Sequence, residues 1–239
     1  MIKGFSVIIN NLAMKKIFLI IAILAIIISC KKADAPAECV EGCATFYFEN
    51  PQPDNDSELD HFPSKFRGLY VNKDSTFIRI EEDRILEEYF WKFKIYKLKL
   101  DSLKAECDIV DGKLIPKDTK YSYDMLSKGD SIELIQKNID TLFRFSLYQK
   151  VKRIDGQLIL SKKDSIFWRA RFVLLDKNIL KFKNLYDLKD LKKLDSVTKI
   201  KAKKLDSTSY LIKPARSEFK KIFKIKNLGY DQEYKKVSK

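Results

Sequence analysis

Histidine and glycine are sparse in this 239-residue chain, at one and seven. The glycines never fall in a phosphate-binding spacing, which excludes the Gly-rich loops of nucleotide enzymes. His61 is the only histidine, so a Ser-His-Asp or Cys-His nucleophile would have to use it as its base. It lies in Asp60-His61-Phe62-Pro63, and no Gly-x-Ser-x-Gly elbow occurs, so an exposed linker histidine is expected. Cysteine is also sparse: Cys30, Cys39, Cys43 and Cys107 share no zinc-ligand spacing with His61, and no metal or cofactor is expected.

Long hydrophobic runs are missing too, with one short exception. Residues 17 to 28 are uninterrupted Ile, Leu, Phe and Ala, fewer than the about 20 residues a membrane-spanning helix needs. Lys15-Lys16 precedes them and Ser29-Cys30 follows, the basic, apolar, small order of a secretory signal. The small residue before Cys30 makes that cysteine the expected lipidation site and mature N-terminus. Met14 is the expected true start, which gives a lipoprotein signal peptide over residues 1–29. Two or more acyl chains, palmitate among them, would hold the protein stably where one would not.

Basic charge is absent from residues 33 to 64, which carry acids from Asp34 and Glu38 to Glu58 and Asp60. Pro36, Pro51, Pro53 and Pro63 fall in or beside this stretch. Such a segment buries little apolar surface, so residues 30–61 read as a lipidated cysteine followed by a flexible acidic tether. Ala44-Thr45-Phe46-Tyr47-Phe48 interrupts it as a segment that could dock on the domain. An exported compartment permits a Cys39–Cys43 disulfide, which leaves Cys107 over.

Residues 62–239 read as a single β-rich domain with a basic, helical C-terminal part. Thr76–Ile80, Ser131–Ile135, Asp140–Phe145 and Ser165–Leu174 are β-branched or alternating runs. Asp111-Gly112 and Asp155-Gly156 are two-residue hairpin signals, because both central positions need positive φ. In Trp91–Ile95 the odd-numbered apolar phase flips at Tyr96, which predicts a bulge or a change to helix. The expected fold is mainly β, an antiparallel meander that is barrel-like or strongly curved. Leu185, Leu188, Leu191 and Leu194 predict one short helix; Ala215, Phe219, Ile222 and Phe223 predict a second, whose apolar face caps the sheet. Lysines interleaved through residues 176 to 239 are expected to be a solvated surface, and export argues against nucleic acid as a partner.

Asn50-Pro51-Gln52-Pro53 and Phe62-Pro63-Ser64-Lys65-Phe66-Arg67-Gly68-Leu69-Tyr70 resemble uncharacterised cell-envelope lipoproteins of the Bacteroidota. Asp140-Thr141-Leu142-Phe143 and Pro214–Lys221 match the same group. The resemblance implies an envelope protein and brings no catalytic residues with it. It also implies O-glycosylation at Asp-Ser/Thr followed by an apolar residue or Thr. The candidate acceptors are Ser75, Ser102, Ser131, Thr141, Ser165, Ser196 and Ser207. Turn chemistry alone also explains an Asp-Ser pair before a strand.

Glu81, Glu82, Asp83, Glu87 and Glu88 supply the carboxylates a glycosidase would use in pairs. A solvated charge run beside Arg84 is the more ordinary reading. The expectation is a non-enzymatic, lipid-anchored envelope protein, at the outer membrane, whose β-domain binds a small ligand or an envelope protein. Lys31 after the cysteine favours outer-membrane delivery. The alternatives are a carboxylate-dependent envelope hydrolase and a structural or immunity-type accessory protein.

Overall fold

The computed structural model describes residues 42–237, all within one compact unit. The fold is mainly β, and its large sheet is dominated by antiparallel pairs and does not close into a barrel. The curved-sheet form of the expectation therefore holds, and the barrel form does not.

The chain enters through β1 (Thr45–Phe48) and continues through β2 (Gly68–Val71), β3 (Phe77–Ile80) and β4 (Arg84–Tyr96). A short turn of helix, α1 (Leu100–Leu103), leads to β5 (Cys107–Val110), β6 (Lys113–Pro116), β7 (Tyr123–Lys128) and β8 (Ser131–Arg144). A second meander follows: β9 (Gln149–Ile154), β10 (Gln157–Asp164), β11 (Phe167–Asp176) and β12 (Ile179–Asn184). The C-terminal part is α2 (Leu188–Val197), β13 (Lys203–Lys204), β14 (Ser209–Ile212), α3 (Arg216–Phe223) and β15 (Tyr230–Lys236).

The hairpins form where the turn chemistry placed them. Asp111 and Gly112 take φ of 50° and 73°, and Asp155 and Gly156 take 46° and 79°, the doubly left-handed turn that suits the twist of the flanking strands. The phase flip at Tyr96 is the change to helix, since β4 ends there and helical turns follow. A bulge lies earlier, at Ile85/Leu86.

Strand alternation distributes the apolar residues into separate cores. Tyr70, Ile78, Ile80, Ile85 and Phe143 meet Leu158, Leu160, Val173, Leu180, Phe182 and Tyr234 inside the curved sheet. Ile159 and Phe172, on the other side of β10 and β11, pack with Phe46, Phe48, Leu194, Phe219 and Ile222. The apolar face of α3 therefore caps the sheet as expected. A small third core at the far end joins Cys107, Leu114, Ile132 and Leu134 to Leu100 and Leu103 of α1.

Residues 42–61 correct the tether reading. β1 pairs in parallel with β14 and antiparallel with β11, which also departs from a pure meander. Beyond it, the Lys152 ammonium donates to the carbonyls of Pro51 (3.0 Å) and Pro53 (2.9 Å). The backbone amide of Gln52 donates to Ser161 Oγ at 3.1 Å, and that of Leu59 to the Val151 carbonyl at 2.8 Å. Acidic composition hid a segment fastened by backbone hydrogen bonds, by Phe46 and Phe48 in the core, and by ion pairs of Asp56 with Arg216 and Glu58 with Lys150. Residues 1–41, including Cys30 and Cys39, lie outside the described residues.

Candidate binding face on the β4–β8 arm

β4 and β8 are the longest strands, and they outrun the sheet that supports them. β3 pairs only with Arg84-side residues of β4, ending at the Phe77–Glu88 pair. β7 pairs with β8 only as far as Ile135. Between these supports, from Tyr89–Asn138 to Trp91–Gln136, the two strands pair only with each other, in an arm that stays in register to Tyr96–Ser131.

Directly opposed residues in an antiparallel pair share a face. The face that continues from core residue Ile85 therefore carries Glu87, Tyr89, Trp91, Phe93 and Ile95 on β4. On β8 the same face carries Asp140, Asn138, Gln136, Leu134 and Ile132 in the same order. The first half of this face is an aromatic row beside a row of amides and one carboxylate. The opposite face takes Glu88, Phe90, Lys92, Lys94 and Tyr96 with Lys137, Ile135 and Glu133.

The aromatic row is ordered but not covered. Trp91 and Phe93 are each 38% exposed, well above what a core aromatic shows. Tyr89 and Trp91 ring centroids lie 6.2 Å apart, and Phe93 meets Tyr123 edge-on at 6.0 Å. Burial pushes the Tyr89 phenol up, and its hydrogen bond to Asp140 Oδ2 (3.1 Å) adds to the shift, with Glu87 a further negative charge. The phenol therefore stays protonated and fixed. Gln136 is 4% exposed, and its Oε1 has no hydrogen-bond partner. The Asn138 amide donates to the Gln136 carbonyl at 3.3 Å, which orients the second amide of the row.

Toward the core the same inner side ends on Arg171 of β11. Burial lowers the tendency of this guanidinium to hold its charge, and the nearby Glu87 carboxylate opposes that. Its Nε donates to Asn184 Oδ1 at 2.7 Å, and it lies 5.9 Å from the centre of the Phe182 ring. This half-buried guanidinium near a carboxylate closes the core end of the inner side.

The residues singled out in the sequence fall elsewhere. His61 is exposed, 2.5 Å from Asp60, with no nucleophile placed against it. Glu81 and Asp83 pair with Arg84, and Glu82 pairs with Arg67. Glu88 is buried between Arg79 and Lys137, both at 2.8 Å. Consecutive strand residues point to opposite faces, so Glu87 and Glu88 form no catalytic pair. Cys43 is disulfide-bonded and Cys107 is a buried free thiol. Burial raises the Cys107 thiol pKa, which keeps it unreactive. No cluster of three or more potential metal ligands occurs among the described residues.

Among the acceptor candidates, Ser75, Ser102, Thr141, Ser165, Ser196 and Ser207 are exposed. Ser131 is buried and its hydroxyl donates to the Lys128 carbonyl at 2.9 Å, so the folded protein does not offer it. A recess between α3 and the sheet, lined mostly by apolar side chains such as Phe172 and Ile222, holds no more than about one water. It is smaller than the about 300 Å³ at which ligand clefts begin.

None of three comparisons finds a match: no family model, no curated protein and no solved structure resembles this chain.

Proposed function

We propose that this chain is a lipid-anchored protein of the cell envelope that binds a ligand or partner through the inner face of the β4–β8 arm. The observation that carries the reading is the half-exposed row Tyr89–Trp91–Phe93 beside Gln136, Asn138 and Asp140. Large aromatics left uncovered on a fixed scaffold, next to oriented amides, are the composition of a recognition surface rather than of a fold-stabilising one. Of the carboxylates weighed for a hydrolase, Glu81, Glu82, Asp83 and Glu88 are engaged in ion pairs with Arg67, Arg79, Arg84 and Lys137.

The anchor in this reading is diacylglycerol on Cys30, and the location is the outer membrane. The support is the signal-like run ending at Ser29-Cys30 and the likeness of Asn50–Pro53 and Phe62–Tyr70 to Bacteroidota envelope lipoproteins. O-glycosylation at exposed Asp-Ser/Thr turns such as Ser75 and Ser165 belongs to the same reading. Affinity capture from detergent-solubilised native membranes, run in parallel with wild type and Trp91→Ala, tests the binding face. A partner captured by wild type and lost with Trp91→Ala supports the reading. Identical capture by both proteins overturns it.

A further inference from the structure

We infer that the inner face of the arm takes a neutral, hydroxyl-rich chain: an oligosaccharide whose rings lie on Trp91 and Tyr89. The inference rests on the reading of that face as a binding surface and adds the chemistry of the occupant.

Charge is the first argument. Strand alternation sends Lys92, Lys94 and Lys137 to the outer face, leaving Glu87 and Asp140 as the charged residues that β4 and β8 place on the inner one, with Arg171 of β11 near Glu87 at its core end. Along the aromatic row a polyanion would meet the Asp140 carboxylate and no lysine, so the surface selects against anionic polymers. A neutral ligand meets no such cost.

The second argument is the pairing of ring faces with planar polar groups. The C–H face of a pyranose packs on an aromatic plane, while its hydroxyls, each both donor and acceptor, need partners at the rim. Gln136, Asn138 and Asp140 stand one residue pair apart beside Trp91, Tyr89 and Glu87. They offer both donor and acceptor functions at the spacing of alternate strand residues. An acyl chain would use the aromatic row and leave the amide row unpaired, which costs affinity.

Gln136 supplies the third. Its Oε1 is buried without a partner on the same face as Trp91, an acceptor that the fold itself leaves unsatisfied. A ligand hydroxyl supplies the donor it lacks once the Gln136 side chain, 4% exposed, turns outward beside Trp91.

Calorimetric titration of the full chain in detergent with neutral hexasaccharides of glucose, xylose, mannose and N-acetylglucosamine, and with hexagalacturonate as the anionic control, tests this. The expected result is saturable binding of at least one neutral chain and none of the anionic one. Trp91→Ala and Asn138→Ala should each weaken it at least tenfold, Trp91→Phe should retain most of it, and Phe90→Ala on the outer face should leave it unchanged. Circular dichroism identifies any variant that fails to fold, and the remaining inner-face variants then decide the outcome. No neutral chain binding, binding indifferent to Trp91 and Asn138, or preference for hexagalacturonate overturns the inference. If the membrane capture experiment still yields a Trp91-dependent protein, the occupant is wrong but the face is right. If neither experiment shows dependence on Trp91, both readings fall.

Discussion

Gly229 has the least freedom of any glycine in the described residues. Its φ is +69°, and a Cβ built on it would lie 2.3 Å from the Asn184 carbonyl oxygen. Its amide also donates to Asp190 Oδ1 at 3.1 Å, and Asp190 is fully buried. Gly229→Ala should therefore destabilise the protein by on the order of 3 kcal/mol, from backbone strain and forced displacement of β12. Urea unfolding, with an unchanged slope and a lower midpoint, is the check. Lys152 is a second decisive residue. Burial lowers its pKa, against the attraction of Glu58, Asp54 and Asp56, and its ammonium spends its donors on two backbone carbonyls of the 51–53 turn. Lys152→Met should cost about 2 kcal/mol, the scale of hydrogen bonds to a charged group, and release residues 50–60 first. Limited proteolysis should cut the variant in that segment before any global unfolding; equal protection in both proteins would refute the role given to Lys152. Neither residue could be recognised from sequence, because what makes each special is a carbonyl far away along the chain. Ser131 is the same case in reverse: a turn-like Asp-Ser pair whose hydroxyl is turned inward.

Elements built on local signals were legible, and those built on distant partners were not. The Asp-Gly hairpins, the strand phase around Trp91 and the apolar stripe of α3 are each written within a few residues. β1 is not: its partners are β14 and β11, more than a hundred residues on, and its flanks are acidic and Pro-rich. The arm was half legible. Trp91-Lys92-Phe93-Lys94-Ile95 reads as a strand with an aromatic side, but nothing in it tells whether that side is covered. Coverage depends on how far β3 and β7 reach along the arm. α3 offers a test at this scale. Glu218 Oε2 accepts from the Ala215 amide (2.8 Å) and Oε1 from the Lys199 amide (2.7 Å). Ala215 has no acceptor of its own, so only half of a capping box is present. These backbone bonds, first that from Ala215, hold the Glu218 carboxyl below its ordinary 4.5. A depressed folded-state pKa gives stability that is present above the unfolded value and is lost as pH falls through the folded one. Glu218→Gln should therefore be less stable than wild type at pH 7, with the gap narrowing as pH drops below about 4.5. Melting temperatures across pH 2–7 would show it, and a gap independent of pH would mean that the carboxylate charge contributes nothing.

For the whole molecule, the docking of residues 42–61 changes how the domain could stand relative to a membrane. A tether running from Cys30 to residue 61 could extend on the order of 100 Å. The Gly42 carbonyl, however, accepts from the Leu188 amide at 3.0 Å, and Cys43 bridges to Asp187. The span available between Cys30 and the start of the domain is then about 40 Å even if fully extended. With the proposed anchor on Cys30, the proposed binding face would work close to the bilayer, where a lipid-held protein meets other envelope components at high local concentration. That argument depends on the anchor, and the anchor can be tested by itself. In the native host, wild type should partition into the detergent phase on Triton X-114 separation and carry acyl mass on its N-terminal peptide. Cys30→Ser should lose both and accumulate as unprocessed precursor or soluble protein. The fold of residues 42–237 should be unaffected, as circular dichroism of both proteins would show. Equal partitioning of the two proteins would remove lipidation at Cys30, and with it the short-reach geometry, while leaving the Trp91 face to be judged on its own binding experiments.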